Sequence, residues 1–118
     1  MTPTQKATLD QFYAGAAAQD ASMIRPLLTD DFTFKAPMMN FDEPDAYVEH
    51  LVGFCGYVKD SRHIAQDDHV VHVFTLVATM PDGEKEMEMC DIFTFIGDKI
   101  ARQELYTDSK QFPDEEAA

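Results

Sequence analysis

MEMCDIFTF, residues 87–95, is the stretch on which the fold turns, because its apolar residues recur at every second position. Side chains alternate between the two faces of a strand, so Met87, Met89, Phe93 and Phe95 share one side. Asp91 falls in the middle of that same side. Stripping an ionised carboxylate of water costs several kcal/mol unless something pairs with it. The stretch therefore predicts a sheet and singles out one residue in it that needs an explanation.

Working outward, Pro81-Asp82-Gly83 and Gly97-Asp98 are turn signals on either side. The period of two extends through the second half of the chain and predicts strands over 62–67, 69–80, 84–96 and 99–107. Upstream the period is helical. Thr2-Pro3-Thr4-Gln5 has the form of a capping box, and Leu9, Phe12, Tyr13 and Ala16 follow at i, i+3, i+4 and i+7, predicting a helix over 3–19. Asp20 caps a short second helix carrying Ile24, Leu27 and Leu28, which Pro26 should shorten or kink. Phe32 and Phe34 suggest a brief strand ending near Pro37. Asp42 is a good N-cap for a third helix, with Pro44 in its first turn and an apolar stripe of Tyr47, Val48, Leu51, Phe54, Cys55 and Val58. Helices first and strands after is an α+β layout: a cone-shaped, curved antiparallel sheet whose concave face is covered by three helices from the N-terminal half.

Register follows from the turn. A three-residue loop at Pro81-Asp82-Gly83, with the glycine left-handed, pairs Met80 with Glu84. Asp91 then faces Val73, Met87 and Met89 face Val77 and Thr75, and Phe93 faces Val71. This sorting predicts that the helices cover Val71, Val73, Thr75 and Val77. The opposite face, with His72, Phe74, Leu76, Ala78, Glu86, Glu88, Cys90 and Ile92, is left half apolar, which predicts a homodimer through it.

The 118 residues suit one domain, taken as 1–108 with an acidic tail over 109–118. A hydrophobic content of 45% and 9 Phe place the chain among globular proteins rather than disordered ones. The net charge of −13, offset by no basic patch, repels nucleic acid and anionic membranes. MTPTQKATLD has no basic n-region or apolar h-region, and no apolar run approaches the roughly 20 residues that span a bilayer, so a cytoplasmic protein is expected. Cys55 and Cys90 make neither a disulfide framework nor a zinc site. His69 and His72, three apart on a strand, face opposite sides and do not form a metal pair. Phosphate loops, dinucleotide fingerprints and Ser-His-Asp arrangements are not visible, and no cofactor is implied.

Three segments, FYAGAAAQDASMIRPLLTDDFTFKAP (12–37), SRHIAQ (61–66) and DIFTFIGDKIARQELYTD (91–108), resemble the nuclear transport factor 2-like superfamily. That superfamily includes SnoaL-like polyketide cyclases, ketosteroid isomerases, scytalone dehydratase and limonene epoxide hydrolase. The resemblance implies a cone-shaped barrel closed at one end, with a pocket between the helices and the concave face. The isomerase's oxyanion-hole aspartate, a carboxylic acid kept neutral by its apolar site, matches Asp91. Its base matches Ala36 and its helix-one tyrosine matches Phe12, with Tyr13 adjacent. The epoxide hydrolase's last-strand aspartate matches Leu105. Steroid isomerisation and epoxide hydrolysis are therefore not expected. His63 sits where dehydratase-like and cyclase-like relatives carry a pocket histidine.

Asp91, His63 and Tyr13 are thus the candidate catalytic residues, with pocket walls from Phe12, Phe34, Val73, Met87, Met89, Phe93 and Leu105. Each has a plainer alternative. Asp91 satisfied by a buried Tyr13 hydroxyl, by His63 or by a backbone amide needs no chemistry. His63 on a strand edge and Tyr13 as a core aromatic are ordinary structure. Two functions follow: a cofactor-independent lyase, isomerase or cyclase acting on a small apolar carbonyl compound, or a non-catalytic ligand-binding or dimerisation module.

Overall fold

The computed structural model describes residues 1–108 and 110, so the expected acidic tail lies outside the described residues except for Lys110. Helix α1 (Pro3–Ala17) starts on its capping box. The Gln5 N–H donates to Thr2 Oγ1 at 3.1 Å, and the Thr2 N–H donates to Gln5 Oε1 at 3.0 Å. Two of the orphan amides of the first turn are thereby satisfied. Asp20 caps α2 (Ala21–Ile24), which tightens into a single 3₁₀ turn over Arg25–Leu27 at Pro26, as the proline requires. Strand β1 (Leu28–Lys35) begins earlier than the phenylalanines alone suggest, and a two-residue β2 (Asn40–Phe41) was not foreseen.

Helix α3 (Pro44–Val52) is shorter than expected, and its N-cap is Glu43 rather than Asp42. It stops at Gly53, whose N–H donates to the His50 carbonyl at 3.2 Å. Val58 belongs instead to β3 (Gly56–Gln66), and Phe54 and Cys55 to the link before it. Apolar residues four apart fit either period, and the two glycines at 53 and 56 decide against helix.

Strands β4 (His69–Met80), β5 (Gly83–Ile96) and β6 (Lys99–Tyr106) complete a six-stranded sheet of order β2-β1-β6-β5-β4-β3. Every neighbouring pair is antiparallel except β1 with β6, which is parallel, so the sheet is mixed; it curves without closing.

The expected register is off by one residue. Met80 pairs with Gly83 across a two-residue Pro81-Asp82 connection, not with Glu84 across three. Gly83 has φ 130°, outside the left-handed helical region the longer loop would need. Asp91 therefore faces His72 rather than Val73, Met89 faces Phe74, Met87 faces Leu76 and Phe93 faces Val70. A shift of one exchanges the faces of β4 completely. His72, Phe74, Leu76 and Ala78 join Asp91 beneath the helices, while Val71, Val73 and Thr75 lie half-buried on the other face with Glu86, Glu88, Cys90 and Ile92; Val77 shares that face but is itself buried. The pattern of β4 could not settle this, because both of its faces are apolar enough to be buried.

Beneath α1 and α3 the closed part of the core packs Leu9, Phe12, Phe32, Phe93 and Ile100, each at most 1% exposed. A second group, Phe74, Ala78, Met87 and Met89, lines the β4–β5 end of the same face.

Candidate active site

The two groups are separated by a cavity of ≈ 410 Å³. Its walls are almost entirely apolar, with Phe12, Phe34, Phe74, Leu76, Met89 and Leu105 prominent and the exposed Met38 and Tyr57 among its lining. The polar groups in the wall are few: Tyr13, Tyr47, His50, Tyr57, Gln103 and Asp91. Among the described residues Asp91 is its only carboxylate. Ala36 and Leu105 also line it, so the two positions where the resemblance would put a second acid carry hydrocarbon.

Asp91 is 3% exposed and sits in the middle of β5. The Tyr13 hydroxyl, projecting from α1, donates to its Oδ2 at 2.7 Å. Its Oδ1 is buried and makes no hydrogen bond of regular geometry among the described residues, although the Gln103 side chain is close enough to favour the charged form. Burial pushes the Asp91 pKa up from an ordinary 3.8 to about 6, against the Tyr13 hydrogen bond and the neighbouring Gln103 amide, both of which favour the charged form. Gln103 itself is anchored by Tyr47, whose hydroxyl donates to Gln103 Oε1 at 2.6 Å. Burial and the charge of Asp91 together hold both tyrosines well above their usual pKa, so both remain hydroxyl donors at neutral pH.

Behind Tyr13 lies His72, which is 1% exposed. Its Nδ1 is 2.8 Å from the Tyr13 hydroxyl oxygen and its Nε2 is 2.9 Å from Ser61 Oγ. Burial, with His63 nearby, lowers the His72 pKa to about 4, so the ring is neutral at pH 7. His63 and Phe74 clamp it from both faces, with ring centroids 4.4 and 4.3 Å away.

The predicted residues thus divide. Asp91, Tyr13, Phe12, Phe34, Met89 and Leu105 meet at the cavity. His63 does not line it; the ring is exposed on β3 and stacks on the outer side of His72. Val73 faces away on the far side of the sheet, a consequence of the register. Met87 and Phe93 are buried in the core beside the cavity rather than in its wall. His72, Ser61, Gln103 and Tyr47 were missed. His72 was assigned to the wrong face, and Ser61 reaches it only through an irregularity in β3 that no turn residue announces. Among the described residues no group of three or more potential metal ligands is gathered.

Comparison with known proteins identifies the family and the fold. The profile of the SnoaL-like domain matches residues 9–103. A search of curated proteins found no match. Among solved structures, an epoxide hydrolase of Mycobacterium tuberculosis, similar to limonene epoxide hydrolase, superposes with a TM-score of 0.82 at 16% identity, over 93% of this chain and 86% of that one. A nuclear transport factor 2-like protein of unknown function from Cytophaga hutchinsonii gives 0.80 at 14% identity, over 93% and 95% of the two chains. A candidate polyketide cyclase of Xanthomonas campestris gives 0.79 at 13% identity, over 92% and 93%. At these identities the likeness is one of fold.

Proposed function

This chain belongs to the SnoaL-like domain family, and from that premise we infer a cofactor-independent lyase, isomerase or cyclase acting on a small, largely apolar carbonyl compound. One observation carries the reading: Asp91, which lines an apolar cavity, has one oxygen fixed by Tyr13 and the other buried and without a hydrogen bond of regular geometry among the described residues. Leaving such an atom unpaired costs about 1–3 kcal/mol. A ligand oxygen that completes the hydrogen bond relieves that cost on binding. A pKa of about 6 keeps both protonation states accessible near neutrality, as a proton-transfer group requires. The protonated carboxyl donates to a carbonyl oxygen or protonates an enolate, and the carboxylate takes the proton back. His72, not His63, is the histidine that backs this acid.

A second reading, a non-catalytic binding module, is favoured by Ala36 and Leu105, which leave Asp91 without a second carboxylate in the wall among the described residues. Mass spectrometry of small molecules that copurify with the native protein distinguishes the two. The enzyme reading expects the wild type to convert the captured compound and Asp91→Asn to bind it without converting it. Wild-type turnover in Asp91→Asn removes the acid from the mechanism. A captured compound that the wild type leaves unchanged supports the binding module.

The protein in this reading is a cytoplasmic homodimer, its two thiols kept reduced. The outer sheet face supports the dimer with Ile92 as first expected, but with Val71 and Val73 of β4 in place of His72, Phe74, Leu76 and Ala78. Ile64 is 66% exposed and Ile96 63%, beside half-buried Val71, Val73 and Ile92. Paired outer faces would cover them. Sedimentation velocity reads the mass directly, and a monomer at high concentration defeats this part.

A further inference from the structure

Four side chains from four elements form one unbroken line: Asp91 on β5, Tyr13 on α1, His72 on β4 and Ser61 on β3. The successive contacts are 2.7, 2.8 and 2.9 Å. One end is a buried carboxyl beside the cavity and the other is an exposed serine. The exposed end is built by a bulge. Lys59 pairs with Thr75 and Arg62 with Val73, so Asp60 and Ser61 together stand against Phe74 alone. Asp60 takes the left-handed conformation, φ 56°, that this insertion requires. The extra residue brings the Ser61 hydroxyl to His72 Nε2.

We propose that Ser61, His72 and Tyr13 are a proton relay that joins Asp91 to the solvent outside β3, so that the acid exchanges its proton without using the cavity. The proton count balances. With Asp91 ionised, Tyr13 donates to Oδ2, His72 Nδ1–H donates to the Tyr13 oxygen, and Ser61 donates to the free Nε2. Ser61 passes its proton to Nε2 and takes another from water. The Nδ1 proton moves to the Tyr13 oxygen, and the Tyr13 proton moves to Asp91. Asp91 now donates to Tyr13, Tyr13 donates to Nδ1, and Nε2–H donates to Ser61. One proton has left the solvent, one has reached the acid, and every hydrogen bond has reversed. The His72 ring neither turns nor carries charge at either end of the process.

The relay rests on protein groups alone and holds whether the cavity hosts a reaction or only a ligand. The groups that bear on it are His63 stacked on His72, Asp10 and Lys6 of α1 acting on His63, and Tyr47, Gln103 and Cys90 around Asp91. The test uses the ligand-free protein. Nitrogen-15 NMR of the imidazole nitrogens, with His63→Asn to remove the overlapping ring, is followed from alkaline to mildly acidic pH. The expected result is that His72 stays neutral and changes from the Nδ1–H to the Nε2–H tautomer, with the midpoint where Asp91 titrates. Asp91→Asn and Tyr13→Phe should each abolish the change. A single tautomer throughout in the parent protein overturns the relay. So does an imidazolium forming at that midpoint, or a change of tautomer that survives either substitution. If Tyr13→Phe fails to fold, the nearly isosteric Asp91→Asn decides alone.

Discussion

The two ends of the concave face are made from similar residues and solve opposite problems. At the closed end, Leu9, Phe12, Phe32, Phe93 and Ile100 fill the space between α1, β1, β5 and β6, and phenylalanine edges meet phenylalanine faces. At the other end Phe74, Met87 and Met89 leave the space only partly filled, and a carboxyl with one oxygen lacking a regular hydrogen bond among the described residues borders it. Contact satisfies every group at the first end. At the second, a hydrophobic wall raises the cost of the one charge beside it and keeps that charge easy to neutralise. The contrast teaches that the fold's stability and its candidate chemistry rest on the same strand, β5, two residues apart at Phe93 and Asp91.

The largest expected effect falls at the closed end. Phe93→Ala should cost about 3–5 kcal/mol, the usual result of emptying a fully buried ring site, read by urea denaturation. A loss near that of an exposed substitution would mean that the closed end is as loosely filled as the other.

Asp91→Asn should behave in the opposite way and depend on pH. The folded chain holds the Asp91 proton up to about pH 6, whereas an unfolded chain releases it near 3.8. The stability contributed by that proton is therefore full below the lower value and is lost as pH rises through the upper one. Above it, the ionised group weakens the fold by on the order of 3 kcal/mol. Asparagine removes this penalty, so the variant should gain stability over the wild type at alkaline pH, with the advantage shrinking steadily as pH falls from about 6 and disappearing below about 3.8. Parallel stability curves for the two proteins would show that Asp91 titrates normally. His72 acts with the reverse sign: its pKa is lowered to about 4, so the stability from its neutral ring is present above its unfolded value and lost as pH falls through the folded one.

Tyr13→Phe should cost about 1–3 kcal/mol, because it leaves Asp91 Oδ2 and His72 Nδ1 without their shared partner. It should also move the Asp91 titration above about 6, since the lost hydrogen bond favoured the charged form. Carbon-13 NMR of the Asp91 carboxyl measures that shift, and a downward one contradicts the assignment of Tyr13 as donor.

The smallest effect on the fold belongs to the outer face. Ile64→Asp should change monomer stability by no more than about 0.5 kcal/mol, yet convert a dimer to a monomer in sedimentation. A dimer that survives the charge must use another surface.

Much of this was legible in the sequence. Periods of 3.6 and 2 located α1, β4, β5 and β6 within a residue or two, because side-chain burial repeats at those intervals wherever one face is covered. The capping box at Thr2 and Gln5 and the proline at 26 acted locally and were readable locally. Asp91 stood out because a carboxylate in an apolar row is costly in any fold, and Tyr13 because its place on the α1 stripe is fixed by helical spacing.

What the sequence could not decide was which residues meet across strands. A single residue in the Pro81-Asp82-Gly83 connection chose whether Asp91 faced Val73 or His72, and β4 is apolar on both sides, so neither choice was penalised in the pattern. The bulge at Asp60 and Ser61 is likewise a matter of pairing with β4, invisible in β3 alone. Local composition determined the elements and the one costly acid. Only tertiary register, set by hydrogen bonding between distant segments, determined its neighbours and the line of hydroxyl and imidazole groups behind it.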